Sequence, residues 1–418
     1  MTMARAIELL TKTKSGGGGH ELVSRLRAKV RSLLATRRAK SALRREFQVA
    51  LGSEPSTRFR RLEHRRVLNA SFALVGLDLQ LFDFSDGANL DISFNGLEHE
   101  FTLSAGTWFE GGLDSGLTTL SLLLTGQLSV DAALVTDVSL LGVLDFADNV
   151  SITTGGAVTG DGVATDVNFQ TSFFVSASSI QLDGLNYQVN SNTHLQSIAG
   201  DVVLDAALTS TTGAITIVSA GNVNLNADLA TLDIDPILDS ILVQANSGSV
   251  TMALGTVTST AGGNIFMNAR QNIEVSQLDA GTGEVALVAE QDIVDVQNDT
   301  VSADADGFAA LDGDPRVVNV SAANLLLQAG GSIGTAGNPF DTSVETLTAQ
   351  AGVDVYILES SQVNIGSVSF SVTQVNFDGT TAPILGPALS GIGAAGGHAK
   401  IETIDGTLTI DDPVNALN

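Results

Sequence analysis

A chain of 418 residues has room for two ordinary domains or one elongated array. Gly is plentiful at 43 residues and hydrophobic content is 44%, yet aromatics reach only 5%, which suits many thin, regular strands better than the bulky core of a compact enzyme. The formal net charge is −26 and there is no Cys, which excludes disulfides and thiolate metal sites.

Charge falls into two blocks. Residues 1–66 hold 13 Arg and 4 Lys against 5 Glu, whereas residues 67–418 hold 41 acids against Arg270, Arg316 and Lys400 alone. Binding to nucleic acid needs cations on phosphate, so the acidic body excludes that partner class, while divalent cations would be welcome there. No apolar stretch reaches the roughly 20 residues of a spanning helix.

The first predicted element is a basic amphipathic helix over residues 21–51, within a leader domain of residues 1–70. Leu22, Leu26, Val30, Leu33, Leu34, Leu43 and Phe47 recur at three- and four-residue spacing, with Arg and Lys on the other faces. Such a helix fits contact with an anionic membrane surface or an export machine, against the plainer reading of a solvated helix. The segment "FRRLEHRRVLNASF" (59–72) follows. Its Leu62, Glu63, Arg65, Leu68 and Ala70 resemble the short Leu-Glu-Pro-Arg-x-Leu-Leu segment found near the N-terminus of large, repetitive, exported planctomycete proteins. His64 stands at the usual Pro or Asp place and Val67 at a Leu place. The resemblance implies a sorting role and an extracytoplasmic destination.

Residues 71–194 predict an irregular β region that either caps an array or forms degenerate turns of it. "ANLDISFNGLEHEFTLSAGTWFEGGL" (88–113) holds long alternating runs with Phe94, Phe101, Trp108 and Phe109. From 195 to 418 one short phrase recurs. "GAITIVSAGNVNLNADLATL" (213–232) and "GNIFMNARQNIEVSQLDAGT" (263–282) each open on Gly, and an alternating run follows, with a second run eight residues later. The phrase returns near 200, 248, 283, 291, 331, 352 and 406. A period near 20 residues is the signature of a solenoid. Alternation over four or five residues makes short strands with one inward face, and Gly, Asn and Asp supply the corners. One coil cannot bury its apolar face alone, so each needs a coil above and below.

The fold expected is therefore all-β, a solenoid of about 20 residues per rung after a helical leader. The wording is similar to that of filamentous-haemagglutinin-like and other β-helical adhesin repeats, with "GSIGTAGNPFDTSVETLTAQAG" (331–352) the closest stretch. That resemblance implies a right-handed parallel β-helix, cell-surface display and adhesion to surface glycans or other surface proteins. The "NPNG" segment of the two-partner secretion domain is missing, which departs from the pattern.

Chemistry is thin. Asp299, Asp304, Asp306, Asp312 and Asp314 offer hard oxygen ligands to Ca²⁺, the one cofactor to consider, but their spacing fits neither an EF-hand nor an acidic nonapeptide, and an acidic loop bulging from a rung is the plainer reading. Asp233, Asp235 and Asp239 are close in sequence, yet Asp233 and Asp235 flank an inward Ile234 and point outward. His99, His194 and His398 are isolated and read as surface or corner residues. The function expected is a non-enzymatic, exported surface or extracellular protein. The alternative is a polysaccharide-degrading enzyme on the same scaffold, for which Arg270 or Arg316 in a cleft with several Asp would be the sign.

Overall fold

The computed structural model describes residues 69–85, 88–110, 113–132, 136–162, 166–233, 235, 239–297 and 317–416. The chain divides into residues 1–65 and 66–418, and everything described belongs to the second unit. The basic helix expected over 21–51 therefore lies outside the described residues. Among the described residues every regular element is a strand.

The strands wind as a β-helix-like solenoid with three parallel faces. On face one, Leu128–Ala132 is followed by Val150–Thr154, Phe173–Ala177, Thr193–Ser197, Ile215–Ser219, Ser240–Ala245, Asn264–Ala269 and Glu284–Ala289, each paired in parallel with the next. Leu128 pairs with Val150, Val150 with Phe173, Phe173 with Thr193 and Thr193 with Ile215, so successive rungs are offset by 22, 23, 20 and 22 residues. Face two runs from Val138–Leu140 to Ile293–Asp295, and face three from Val143–Phe146 to Gln277–Asp279. The two phrases at 213 and 263 are two such rungs. Each supplies a face-one strand, a face-two strand eight residues later, and a third strand at Leu229–Thr231 or Gln277–Asp279.

Pairing in this register runs unbroken from Leu128, well before the 195 at which the repeat becomes readable in sequence. The early rungs were harder to read because Phe146, Phe169 and Phe173 replace the small aliphatics of later coils and stack inside the column, with centroids 5.4 and 4.1 Å apart. Later, the corner between faces three and one flattens. The single strands Val320–Ala329 and Phe340–Ala351 then cross both faces.

Alternation sets the core. Ile215, Ile217, Ile265, Met267, Val285 and Leu287 point inward and are fully buried, and each such side chain contributes about 1.5–3 kcal/mol. The corner before face two explains the recurrent Gly-Asn and Gly-Asp. The Asp201 Oδ1 accepts the Asn222 N–H (2.7 Å), and the Asn222 Oδ1 accepts the Ser249 N–H (2.9 Å). The chain of acceptors continues through Ser249, Asn272, Asp292 and Ser332 to Asp354, which takes the His398 N–H at 2.7 Å. Each rung thus hands one backbone donor to the side chain below it, worth about 1 kcal/mol net per bond.

The first rung is closed off by antiparallel strands. Asn69–Val75 folds back on Asp78–Phe82, and His99–Leu103 lies between Leu90–Phe94 and Thr119–Leu122. Asp78–Phe82 and Leu90–Phe94 in turn pair in parallel with Leu128–Ala132 and Val138–Leu140. Trp108 plugs this end. Its indole N–H donates to the Phe101 carbonyl (3.0 Å), and the rings of Phe72 and Phe84 stand edge-on to it. Such a cover removes the open parallel edge that would otherwise template aggregation.

Candidate binding face

Residues 367–390 leave the winding as a hairpin. Ser367–Val375 pairs antiparallel with Thr381–Ser390. Val368, Phe370 and Val372 face down and are buried, while Ser367, Ser369 and Ser371 alternate outward. The tip closes at Asn376–Thr380, where the Asp378 carboxylate accepts from the Thr380 N–H (3.0 Å) and Oγ1 (2.6 Å), and these bonds hold Asp378 below the usual carboxylate range.

This strap runs back along face one, across the strands rather than along them. Beneath it lies one outward column in continuous register: Phe174, His194, Thr216, Leu242, Phe266, Ala286, Leu326 and Thr348. Leu242, Phe266, Ala286 and Leu326 pack with Val368, Phe370 and Val372 in a second apolar cluster outside the coil, and Phe174 and Ala214 pack with Val375 and Phe377 in a third. Polar bonds pin the same path. The Thr216 Oγ1 accepts the Val375 N–H (2.9 Å), the Ser240 hydroxyl donates to the Thr373 carbonyl (3.1 Å), and the Asn264 amide donates to the Ser371 carbonyl (2.8 Å).

Where the strap stops, the column turns polar: Phe174 is preceded in register by Ser151, Ser129 and Gln80. An open cleft of about 710 Å³ forms there, lined by Gln80, Phe82, Asp83, Phe84, Ser129 and Asp131. Asp83 holds φ at +57°, the one positive φ outside glycine among the described residues, a conformation that costs about 1–2 kcal/mol.

Beside the strap a second outward row starts at Asp131. It continues through Thr153, Ser176, Gln196, Val218, Gln244, Asn268, Val288, Gln328 and Gln350. All are half-exposed from Thr153 onward, and none carries a charge. Carboxylates stand at corners and at other strand positions, such as Glu284 on face one and Glu274 on face two. Between faces two and three, burial and the neighbouring Asp205 push Asp183 up, while the Asn226 amide, 2.7 Å from the Asp205 carboxylate, draws Asp205 down.

Two histidines expected at the surface are buried, which corrects that reading. His99 sits opposite Leu122 and stacks 4.9 Å from Phe146, and His194 lies under the strap with the Phe377 ring edge-on at 6.1 Å. Burial lowers both imidazoles, against the opposing pull of Asp145 on His99 and of the Val375 carbonyl on His194. His398 is a corner residue, its ring 3.4 Å from Asp354.

Of the sorting-like residues, Leu62, Glu63, Arg65 and Leu68 lie outside the described residues. Ala70 is fully buried in the first strand and pairs with Trp108, so a cut after it would remove part of the cap. Asp299, Asp304, Asp306, Asp312 and Asp314 also lie outside the described residues. The flanks of that segment meet in a buried network, where the Asn319 amide donates to Asp295 (2.6 Å) and the Asn319 Oδ1 accepts the Asp341 N–H (2.9 Å). Among the described residues, no group of three or more His, Asp and Glu is placed to hold a metal.

Asp239 is buried as a loop clamp, accepting from the Thr231 hydroxyl and the Gly263 N–H, and burial raises it. Asp233 instead caps the Asp235 N–H (3.0 Å). Arg270 is exposed beside Glu290 at 3.6 Å rather than in a cleft, and Arg316 lies outside the described residues.

The strap and its column escaped the sequence reading, although a signal was present. "ILV" (241–243), "IFM" (265–267), "VAL" (285–287) and "LLL" (325–327) are unbroken apolar triplets where an alternating, water-facing strand would carry a polar middle residue. Comparison with protein-family models, with curated proteins and with solved structures finds no match to this chain. No helix among the described residues is long and apolar enough to cross a membrane.

Proposed function

We propose that this chain is an exported, non-enzymatic β-helical protein of the cell surface or extracellular matrix, with an adhesin-like or structural role. On this reading the coil is right-handed and the leader addresses the chain for export, as the likenesses to planctomycete leaders and haemagglutinin-like arrays imply. The observation that carries the proposal is the uncharged outward row of face one, which runs in register from Thr153 to Gln350 with the strap beside it from Ser176 onward. A surface spread over nine rungs suits many weak contacts with glycans or neighbouring proteins, made at little ordering cost because the scaffold is already fixed.

The test is to fractionate the producing cells and sequence the mature N-terminus. Recovery outside the cytoplasm, with the acidic body intact, is expected; an intact chain confined to the cytoplasm refutes the proposal. The enzymatic alternative has its foothold in the cleft, where Asp83 and Asp131 line one opening. Release of reducing ends from a polysaccharide, lost in Asp131→Asn, would favour it instead.

A further inference from the structure

Within the proposed surface role, and resting on it, the geometry points to an occupant for the outward row: we infer that it docks an uncharged polysaccharide lying along the solenoid axis. Five of its members, Gln196, Gln244, Asn268, Gln328 and Gln350, end in carboxamides. A carboxamide presents a donor and an acceptor on one rigid group, which matches a sugar hydroxyl that both gives and takes a hydrogen bond. Parallel rungs repeat at about 4.8 Å, so the row offers the same groups at regular intervals to a polymer that is itself periodic.

The amides are turned sideways where their partners are seen, Gln196 towards His194 on its own strand. The Gln244 amide donates to Asn246 within its own rung (2.6 Å), and the Gln350 amide donates to the Ser390 carbonyl of the strap (3.3 Å). They are not consumed in a rung-to-rung ladder at these positions. Alongside, Val288 of the row and Ile384 and Leu389 of the second strap strand pack half-buried on the strap's apolar cluster. That strand supplies an apolar flank for the C–H face of a pyranose. At its far end the row runs into the cleft through Asp131, with Gln80 and Ser129 beside it.

Charge selects among polysaccharides. Residues 67–418 carry 41 acids against three cations, so a uronate-rich or sulfated chain meets a field of its own sign, while a neutral glycan meets no penalty. Because the row itself is uncharged, its contacts gain little from low salt.

The experiment measures depletion of the full chain by cellulose, β-1,3-glucan, mannan and chitin, with polygalacturonate as the charged comparison, at low and high salt. The triple variant Gln196→Ala/Gln244→Ala/Gln328→Ala is set against a face-two control, Gln181→Ala/Asn224→Ala/Thr251→Ala, and both are checked for native melting. Retention on at least one neutral polymer, salt-insensitive and about tenfold weaker in the face-one triple only, is the expected result. Absence of retention on every neutral polymer, equal loss in the control, or preference for polygalacturonate overturns the inference. Fractionation reads separately: a chain found outside the cytoplasm that ignores neutral glycans sinks the ligand and leaves the location standing.

Discussion

The Nδ1 of His194 and the carbonyl oxygen of Val375 lie 2.6 Å apart although 181 residues separate them in sequence. A neutral imidazole donates this bond through its Nδ1–H. Burial lowers the ring's affinity for a proton, with the Val375 carbonyl pulling the other way. Above the ordinary imidazole value of about 6.5 the ring is neutral in folded and unfolded chain alike, so pH has no leverage there. As pH falls below that value the unfolded chain takes up a proton the folded ring refuses, and stability is lost until the folded value is passed. The protection of residues 367–390 against hydrogen exchange, corrected for the pH dependence of intrinsic exchange, should therefore fall between pH 7.5 and pH 5, and His194→Gln should flatten that response. His99 has the same sign, so acid should also loosen the cap, and that part should persist in the variant.

Removing the strap should leave the winding intact and make the protein associate. The Gly391 N–H already donates to the Gly366 carbonyl at 3.0 Å, so joining these two residues directly deletes 367–390 without stretching a rung. The deletion uncovers Phe174, Leu242, Phe266 and Leu326 in one stripe. Light scattering should report oligomers, while far-ultraviolet dichroism stays that of a β-protein. A monomeric deletion with unchanged melting would show that the column needs no cover.

The corner acceptors should be individually modest and collectively decisive. Asn272→Ala leaves the Asp292 N–H without its 3.1 Å acceptor and should cost about 1–2 kcal/mol in denaturant titration. The loss should be local, because each rung touches only its neighbours. Exchange at 290–294 should rise before exchange at 201–205.

Two glycines should respond in opposite ways. A Cβ on Gly283 would come within 2.0 Å of the Gly263 carbonyl oxygen, backbone that cannot swing aside. Gly283→Ala should destabilise by about 2–3 kcal/mol. Gly337 has nothing within 4 Å of the same position, so Gly337→Ala should be neutral or stabilise by about 0.4–1 kcal/mol. Thermal melting of the pair separates the two effects.

These contrasts mark what a single sequence reveals. The rung was readable at 213 and 263 because Ile215 and Ile217, like Ile265 and Met267, alternate against polar corners, and alternation is a local property. The third strand of each rung was less visible, since Leu229–Thr231 and Gln277–Asp279 bury only one or two residues between turns. The strap was invisible as a partner: "SVSFSVTQV" reads as one more alternating strand, and nothing within it says that Phe370 meets Phe266 at 5.4 Å. The candidate face depends on two registers that run across the chain rather than along it. Gln196, Gln244 and Gln328 share a row only because loops of unequal length restore the phase each time.

The strap also fixes an order of events. A ribosome or an export channel delivers residue 174 long before residue 377, so the early coils must stand with one greasy seam bare while the 203 residues from 174 to 377 are delivered. Slow delivery prolongs that vulnerable interval and fast delivery shortens it. The fold therefore carries a clock: a segment made late is the one that covers coils made long before it.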